Sequence, residues 1–175
     1  AERDQLMAAG QIDGQVSDLV ATALFNTRQP GVRIVRKARQ AFPDSPQFVI
    51  LAARDSEIDS VDDLRGVEIA VSENSVVQYL TERLLEREGI LADEIRTVNV
   101  PQIPVRFELL DQGKVKAATL PDPLWSLAVL QGARPILNDG KHAEISQSVI
   151  AFRADVVSER REEVQAGQDA RGFFI

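Results

Sequence analysis

Three short turns hold the polar residues best placed to do chemistry in this 175-residue sequence: Ser72-Glu73-Asn74-Ser75, Ser17-Asp18, and Pro121-Asp122 with Trp125 just beyond. The first follows an apolar run, Val67, Ile69, Ala70 and Val71, of the kind a strand covered on both faces shows. After it, Val76, Val77, Tyr79, Leu80, Leu84 and Leu85 fall on one side of a helix that Gly89 stops. Ser75 and Gln78 have the spacing of a capping box, so the helix is expected to begin there. A strand that feeds a polar turn onto a helix N-terminus leaves backbone N–H groups facing outward, ready for an anionic or strongly polar group. Ser72, Asn74 and Ser75 can exchange hydrogen bonds with such a ligand, whereas Glu73 discourages a bare anion. Asp18 and Asp122 favour ligand N–H groups or a positive centre, and Trp125 can stack on a ligand or pack in a core. The combination points to a zwitterion or a polar heterocycle ahead of a simple oxyanion. For each turn the plain alternative is an ordinary β-turn-α joint that binds nothing.

Catalysis has little to work with. His142 is the single histidine and lies beside Lys141 in a polar loop, where solvation is the expected state. There are no cysteines, which removes disulfides, thiolate metal sites and Cys nucleophiles. Asp62-Asp63 and Glu162-Glu163 occupy helix starts, where acids complement the helix dipole. Neither a G-x-S-x-G elbow nor a phosphate-cradling glycine loop is present. No catalytic residue, metal ligand or cofactor is expected. A net charge of −7, a pI near 4.8 and few aromatic residues argue against nucleic acid, with no basic run or basic face legible. The longest apolar run, residues 48–53, is far too short to span a membrane. No signal peptide is read in the charged opening Ala1-Glu2-Arg3-Asp4, and a chain that opens inside a helix suggests processing or truncation.

Strand and helix patterns alternate along the chain, which predicts an α/β fold with mostly parallel sheets. Two internal echoes organise it. Residues 7–24 and 109–130 each read as a helix ending at glycine (Gly10, Gly113), a short strand, a turn bearing an aspartate (Asp18, Asp122) and an apolar helix. Gln47-Phe48-Val49-Ile50 and Gln147-Ser148-Val149-Ile150 form the second echo and read as paired strands crossing between two lobes. The expected division is residues 1–53 as the first part of lobe I, 54–146 as lobe II, and 147–175 as the return to lobe I with a tail. The three polar turns then fall at the carboxyl ends of strands, where open α/β sheets bind ligands.

Asp63-Leu64-Arg65-Gly66 with the strand, turn and helix that follow resembles the periplasmic substrate-binding proteins of ABC transporters. The nitrate, sulfonate, taurine and thiamine-precursor group is the nearest in pattern. GQIDGQVSD (residues 10–18) and AATLPDPLWSLAVLQGARPIL (residues 117–137) resemble the same group, in the same order. The resemblance implies a two-lobed type II binding fold. It also implies capture of a small polar organic molecule by the three turns and delivery to a membrane permease, in a periplasmic or extracytoplasmic setting. Against that pattern the first strand-helix-strand unit has no counterpart, and long helices after Arg160 are not expected because Gly167 and Gly172 are poor helix formers. An enzyme of cofactor or vitamin biosynthesis on the same scaffold, and a folded fragment without ligand, are the alternative readings. Oligomeric state is left open.

Overall fold

The structure is a computed structural model and describes residues 2–28 and 31–169. Its elements run α1 (Glu2–Ala8), β1 (Gly14–Asp18), α2 (Leu19–Arg28), β2 (Val32–Arg39), β3 (Phe48–Ala52), β4 (Glu68–Val71), α3 (Val76–Arg87) and β5 (Arg96–Asn99). They continue with α4 (Ile103–Asp111), β6 (Ala117–Pro121), α5 (Leu124–Leu130), β7 (Arg134–Asn138), β8 (Ser148–Arg153), α6 (Ala154–Glu159) and α7 (Arg161–Asp169). The chain divides into two compact units, Ala1–Gln40 with Gln147–Ile175, and Ala41–Ser146. The sequence reading gave residues 41–53 to the first lobe. The structure differs because β3 is hydrogen-bonded to β6 and β7, both in the second unit.

In the second unit a five-stranded sheet has the order β5-β4-β6-β3-β7. Strand alternation sends its side chains into two separate apolar layers. On one face Ile50, Ile69, Val71 and Ala117 pack against Val77, Leu80, Leu84 and Leu85 of α3. On the other, Val49, Leu51, Ala70, Ala118 and Leu120 meet Leu110 of α4 and Ala128 of α5. The stripe read for α3 is the face it buries except at Tyr79, which is exposed, and its fully buried leucines each contribute roughly 1.5–3 kcal/mol by removal from water.

The entry and exit of this unit are tied together. The buried Asp139 carboxylate accepts the amides of Gln47 and Phe48 through Oδ1, at 2.9 and 3.1 Å. Gln47 Nε2 donates to the carbonyl of Ser146 at 2.9 Å.

The first unit has a three-stranded sheet, β1-β8-β2, with Met7, Val32 and Ala151 forming a small core that Ile12 and Phe25 flank. Its connectivity repeats that of β6-β3-β7. In each trio the middle strand runs antiparallel to both neighbours, and it is the strand reached soon after the chain enters the unit. Each middle strand also makes the same leading contact: the Gln147 carbonyl accepts the Leu19 amide at 3.0 Å, and the Gln47 carbonyl accepts the Asp122 amide at 2.9 Å. Both glycine stops are left-handed, with φ of 70° at Gly10 and 66° at Gly113, a conformation that costs glycine little.

Two expectations change. The sheets are mixed, since parallel pairing is confined to β4 with β5 and β6 among the described residues. The reversal of β3 and β8 follows from tertiary pairing that local patterns do not carry. A basic face does exist: Arg33, Arg36 and Arg39 pair in register with Phe152, Ile150 and Ser148, so two irregularities in β2 turn all three onto one side of the sheet. Together with Lys37 they are exposed on an edge strand, where charge discourages strand-to-strand aggregation. The helix start read at Glu162-Glu163 is present, since both occupy the first turn of α7, a helix of 9 residues that buries Val164. The apolar tail at residues 173–175 lies outside the described residues.

Candidate functional site

In the second unit β4 leads into α3 on one face of the sheet, while its neighbour β6 leads into α5 on the opposite face. The connections diverge at the carboxyl ends of these two strands, which is the place where open α/β sheets form a ligand crevice. Ser72 to Ser75 follow β4 and Pro121, Asp122 and Trp125 follow β6. Six of the nine expected site residues therefore lie at or just beyond the ends of these two adjacent strands in one unit, and Trp125 lies in the first turn of α5.

The β4–α3 turn is held by its own side chains. Ser75 is the N-cap of α3, and its Oγ accepts the Val77 amide at 3.1 Å. Gln78 Oε1 accepts the amide of Asn74 at 2.8 Å, and Asn99 Oδ1 accepts that of Glu73 at 3.2 Å. Asn74 has φ 55°, a left-handed conformation that asparagine tolerates. The capping pair is thus shifted from the expected box, with Gln78 reaching one residue further back. These bonds use three amides, and those of Ser75 and Val76 keep no partner among the described residues. Replacing Ser75 with alanine is expected to cost about 1 kcal/mol, read by urea unfolding.

Ser72 is committed as well. Its Oγ donates to the Pro101 carbonyl at 3.1 Å and accepts Arg106 Nη1 at 2.9 Å. Arg106 also donates to the Val100 carbonyl at 3.0 Å, while its Nε and Nη2 have no partner. The whole side chain is buried, with 0% exposed, and no carboxylate pairs with it among the described residues. Desolvation pulls this guanidinium down to about 10, so it stays charged at neutral pH. Sequence reasoning passed over Arg106. The signal was present, because Ile103, Arg106, Phe107 and Leu110 have the spacing of a buried helix face.

Other expected residues take different settings. Asp18 Oδ1 accepts the Ala21 amide at 2.6 Å, which makes this side chain the cap of α2. Ser17 is buried, and Arg3 Nη2 donates to its Oγ at 3.2 Å. Both lie in the first unit. Trp125 packs against the apolar layer under α4 and α5, with its indole N–H unpartnered. Asp122 is exposed at the end of β6. His142 lies 2.8 Å from Arg87 through Nδ1, and Glu144 pairs with the same arginine. Asp63 accepts the Ser60 hydroxyl and the amides of Asp59 and Ser60, which hold its carboxyl below the usual range. No group of three or more metal-ligating side chains occurs among the described residues.

An open cavity of about 420 Å³ in the first unit is lined by Met7, Phe25, Gly31, Val32, Arg153 and Asp155, among others. Its charged groups are already paired with each other, Arg153 to Asp155 at 3.1 Å. The β4–α3 turn, where the Ser75 and Val76 amides keep no partner among the described residues, remains the better candidate.

A curated protein of Escherichia coli (strain K12), named as a candidate aliphatic sulfonates-binding protein, is 35% identical over 99 residues, 56% of this chain and 31% of that protein. The solved periplasmic aliphatic sulphonate binding protein SsuA of Escherichia coli superposes with a TM-score of 0.77 at 21% identity, covering 94% of this chain and 55% of its own. The alkanesulfonate-binding SsuA of Xanthomonas axonopodis pv. citri, bound to MOPS, gives 0.75 at 21% identity with the same coverages. The desulfurization enzyme DSZB shares the fold at a TM-score of 0.63 and 18% identity, covering 87% of this chain and 58% of its own. The chain therefore spans little more than half the length of these solved structures. The NMT1/THI5-like family model matches residues 1–170. The chain belongs to the NMT1/THI5-like family.

Proposed function

We propose that this chain is the ligand-binding part of a solute-binding protein for an ABC importer, working in the periplasm or an equivalent extracytoplasmic space and handing its ligand to a membrane permease. The observation that carries this reading is the divergence of the connections beyond the adjacent strands β4 and β6, where the β4–α3 turn presents two amides without a partner among the described residues at a helix N-terminus. The names of the similar proteins, which are sulfonate binders, support the ligand class. The ligand is a small organic sulfonate whose other end carries N–H donors or positive charge: the sulfonate suits the β4–α3 turn and the exposed Asp122 suits the cationic end. Binding without chemistry is supported by the commitment of the single histidine to Arg87.

A thermal-shift screen tests this, since a ligand of the folded state raises the melting temperature. Amino-substituted sulfonates such as taurine and MOPS are expected to raise it more than plain alkanesulfonates or nitrate. Equal or larger shifts with nitrate would remove the zwitterion reading. No shift with any member of the panel would remove solute capture by this chain.

A further inference from the structure

We propose that Arg106 is the specificity-determining charge of the β4–α3 turn: it sits beneath the turn as the countercharge for an oxoanionic group held by the free amides of Ser75 and Val76. This rests on the proposed solute capture and assigns its anionic end. Three observations converge. Arg106 is buried outright, its Nε and Nη2 are unpartnered, and no carboxylate balances it among the described residues. Its third nitrogen reaches the turn itself, donating to Ser72 Oγ at 2.9 Å. Above it, α3 is a helix of 12 residues with two unused amides at its start, which carries the positive end of a macrodipole.

A buried charge left unbalanced is costly, and fold stability alone gives no reason to keep it, because an apolar side chain of similar size fills the same space. An oxoanion on the turn supplies the missing countercharge through a water-poor region where screening is weak. Arg106 acts as a positioning residue in addition. By donating to Ser72 Oγ it sends the hydroxyl proton to the Pro101 carbonyl. Ser72 is then unable to donate to the ligand, and the anion falls to the Ser75 and Val76 amides. Glu73, whose amide is bound by Asn99, is the negative side chain that this charge must outweigh.

The test is an amide-resolved titration of the whole chain with methanesulfonate and with dimethyl sulfone, its uncharged counterpart. Saturable shifts at Ser75 and Val76 are expected with methanesulfonate, with dimethyl sulfone at least about tenfold weaker. Arg106→Met is expected to remove that preference, and Arg106→Lys, which keeps the charge, to restore most of it. Ser72→Ala is expected to keep the preference, because the charge stays. If Arg106→Met fails to fold, Arg106→Gln gives the same comparison. Wild-type affinity for methanesulfonate in a folded Arg106→Met or Arg106→Gln protein overturns the proposal, and so does equal affinity of the wild type for the two probes. Tight MOPS or taurine binding that survives in Arg106→Met also overturns it while leaving solute capture standing. Selective methanesulfonate binding with neither MOPS nor taurine held more tightly removes the zwitterionic end of the proposed ligand and leaves Arg106 in its role.

Discussion

Replacing Asp139 with alanine is expected to destabilise the second unit by about 2–4 kcal/mol, among the largest losses from any single polar side chain in the chain. Its Oδ1 is the shared acceptor for the Gln47 and Phe48 amides, and both would be left without a partner in a closed setting. The first residues of β3 would lose their anchor, although β3 is the central reversed strand between β6 and β7. Asp139→Asn retains an oxygen at the Oδ1 position and is expected to stay within about 1 kcal/mol of the wild type. Urea unfolding of the two variants decides the matter. An alanine variant as stable as the wild type would mean that water or the relaxed backbone replaces the carboxylate.

Arg106→Met is expected to move stability the other way. The folded guanidinium is pulled down to about 10 by burial, with no opposing partner. The unfolded chain therefore binds this proton more tightly than the folded one. The penalty is fully present below about pH 10 and fades as pH rises from there toward the ordinary guanidinium value. Its size is roughly 3 kcal/mol at neutral pH. Methionine removes that cost and gives up the bonds to Ser72 Oγ and the Val100 carbonyl, together worth about 1–2 kcal/mol. The net expectation is a gain on the order of 1–2 kcal/mol, read as a higher urea midpoint with an unchanged slope. A loss of more than about 1 kcal/mol would show that the unpartnered nitrogens are satisfied in solution. A protein made more stable by losing this charge, and less able to discriminate anions, is what a binding role for Arg106 requires.

The parts of the fold that were legible depend on neighbours close in sequence. The β4 strand, the α3 stripe and the stops at Gly10, Gly89 and Gly113 follow from apolar spacing and backbone freedom within a few residues. The three β–α turns were found the same way, and the strand order then puts Ser72 to Ser75 and Pro121 to Asp122 at the ends of two adjacent strands. What was not legible depends on partners far along the chain. β3 and β8 run against their neighbours because of pairings across the sheet. Asp139, in an Asn-Asp-Gly stretch, reads as an ordinary turn residue, yet its carboxylate is committed to amides 91 and 92 residues away. Asp18 resembles a ligand acid in sequence, while the structure shows an N-cap. Arg106 was hidden by its type: an arginine on a buried stripe reads as a surface residue until its burial is seen. The arginine row on β2 escaped notice because two register shifts, not the sequence spacing, place Arg33, Arg36 and Arg39 on one face.

Binding of a small organic sulfonate beyond β4 and β6 is read by an amide-resolved titration of the chain with MOPS. Saturable shifts concentrated in residues 72–78 and 122–125 are expected. Saturable shifts confined to Met7, Phe25, Val32 and Arg153 around the first-unit cavity, or none in either region, would contradict it.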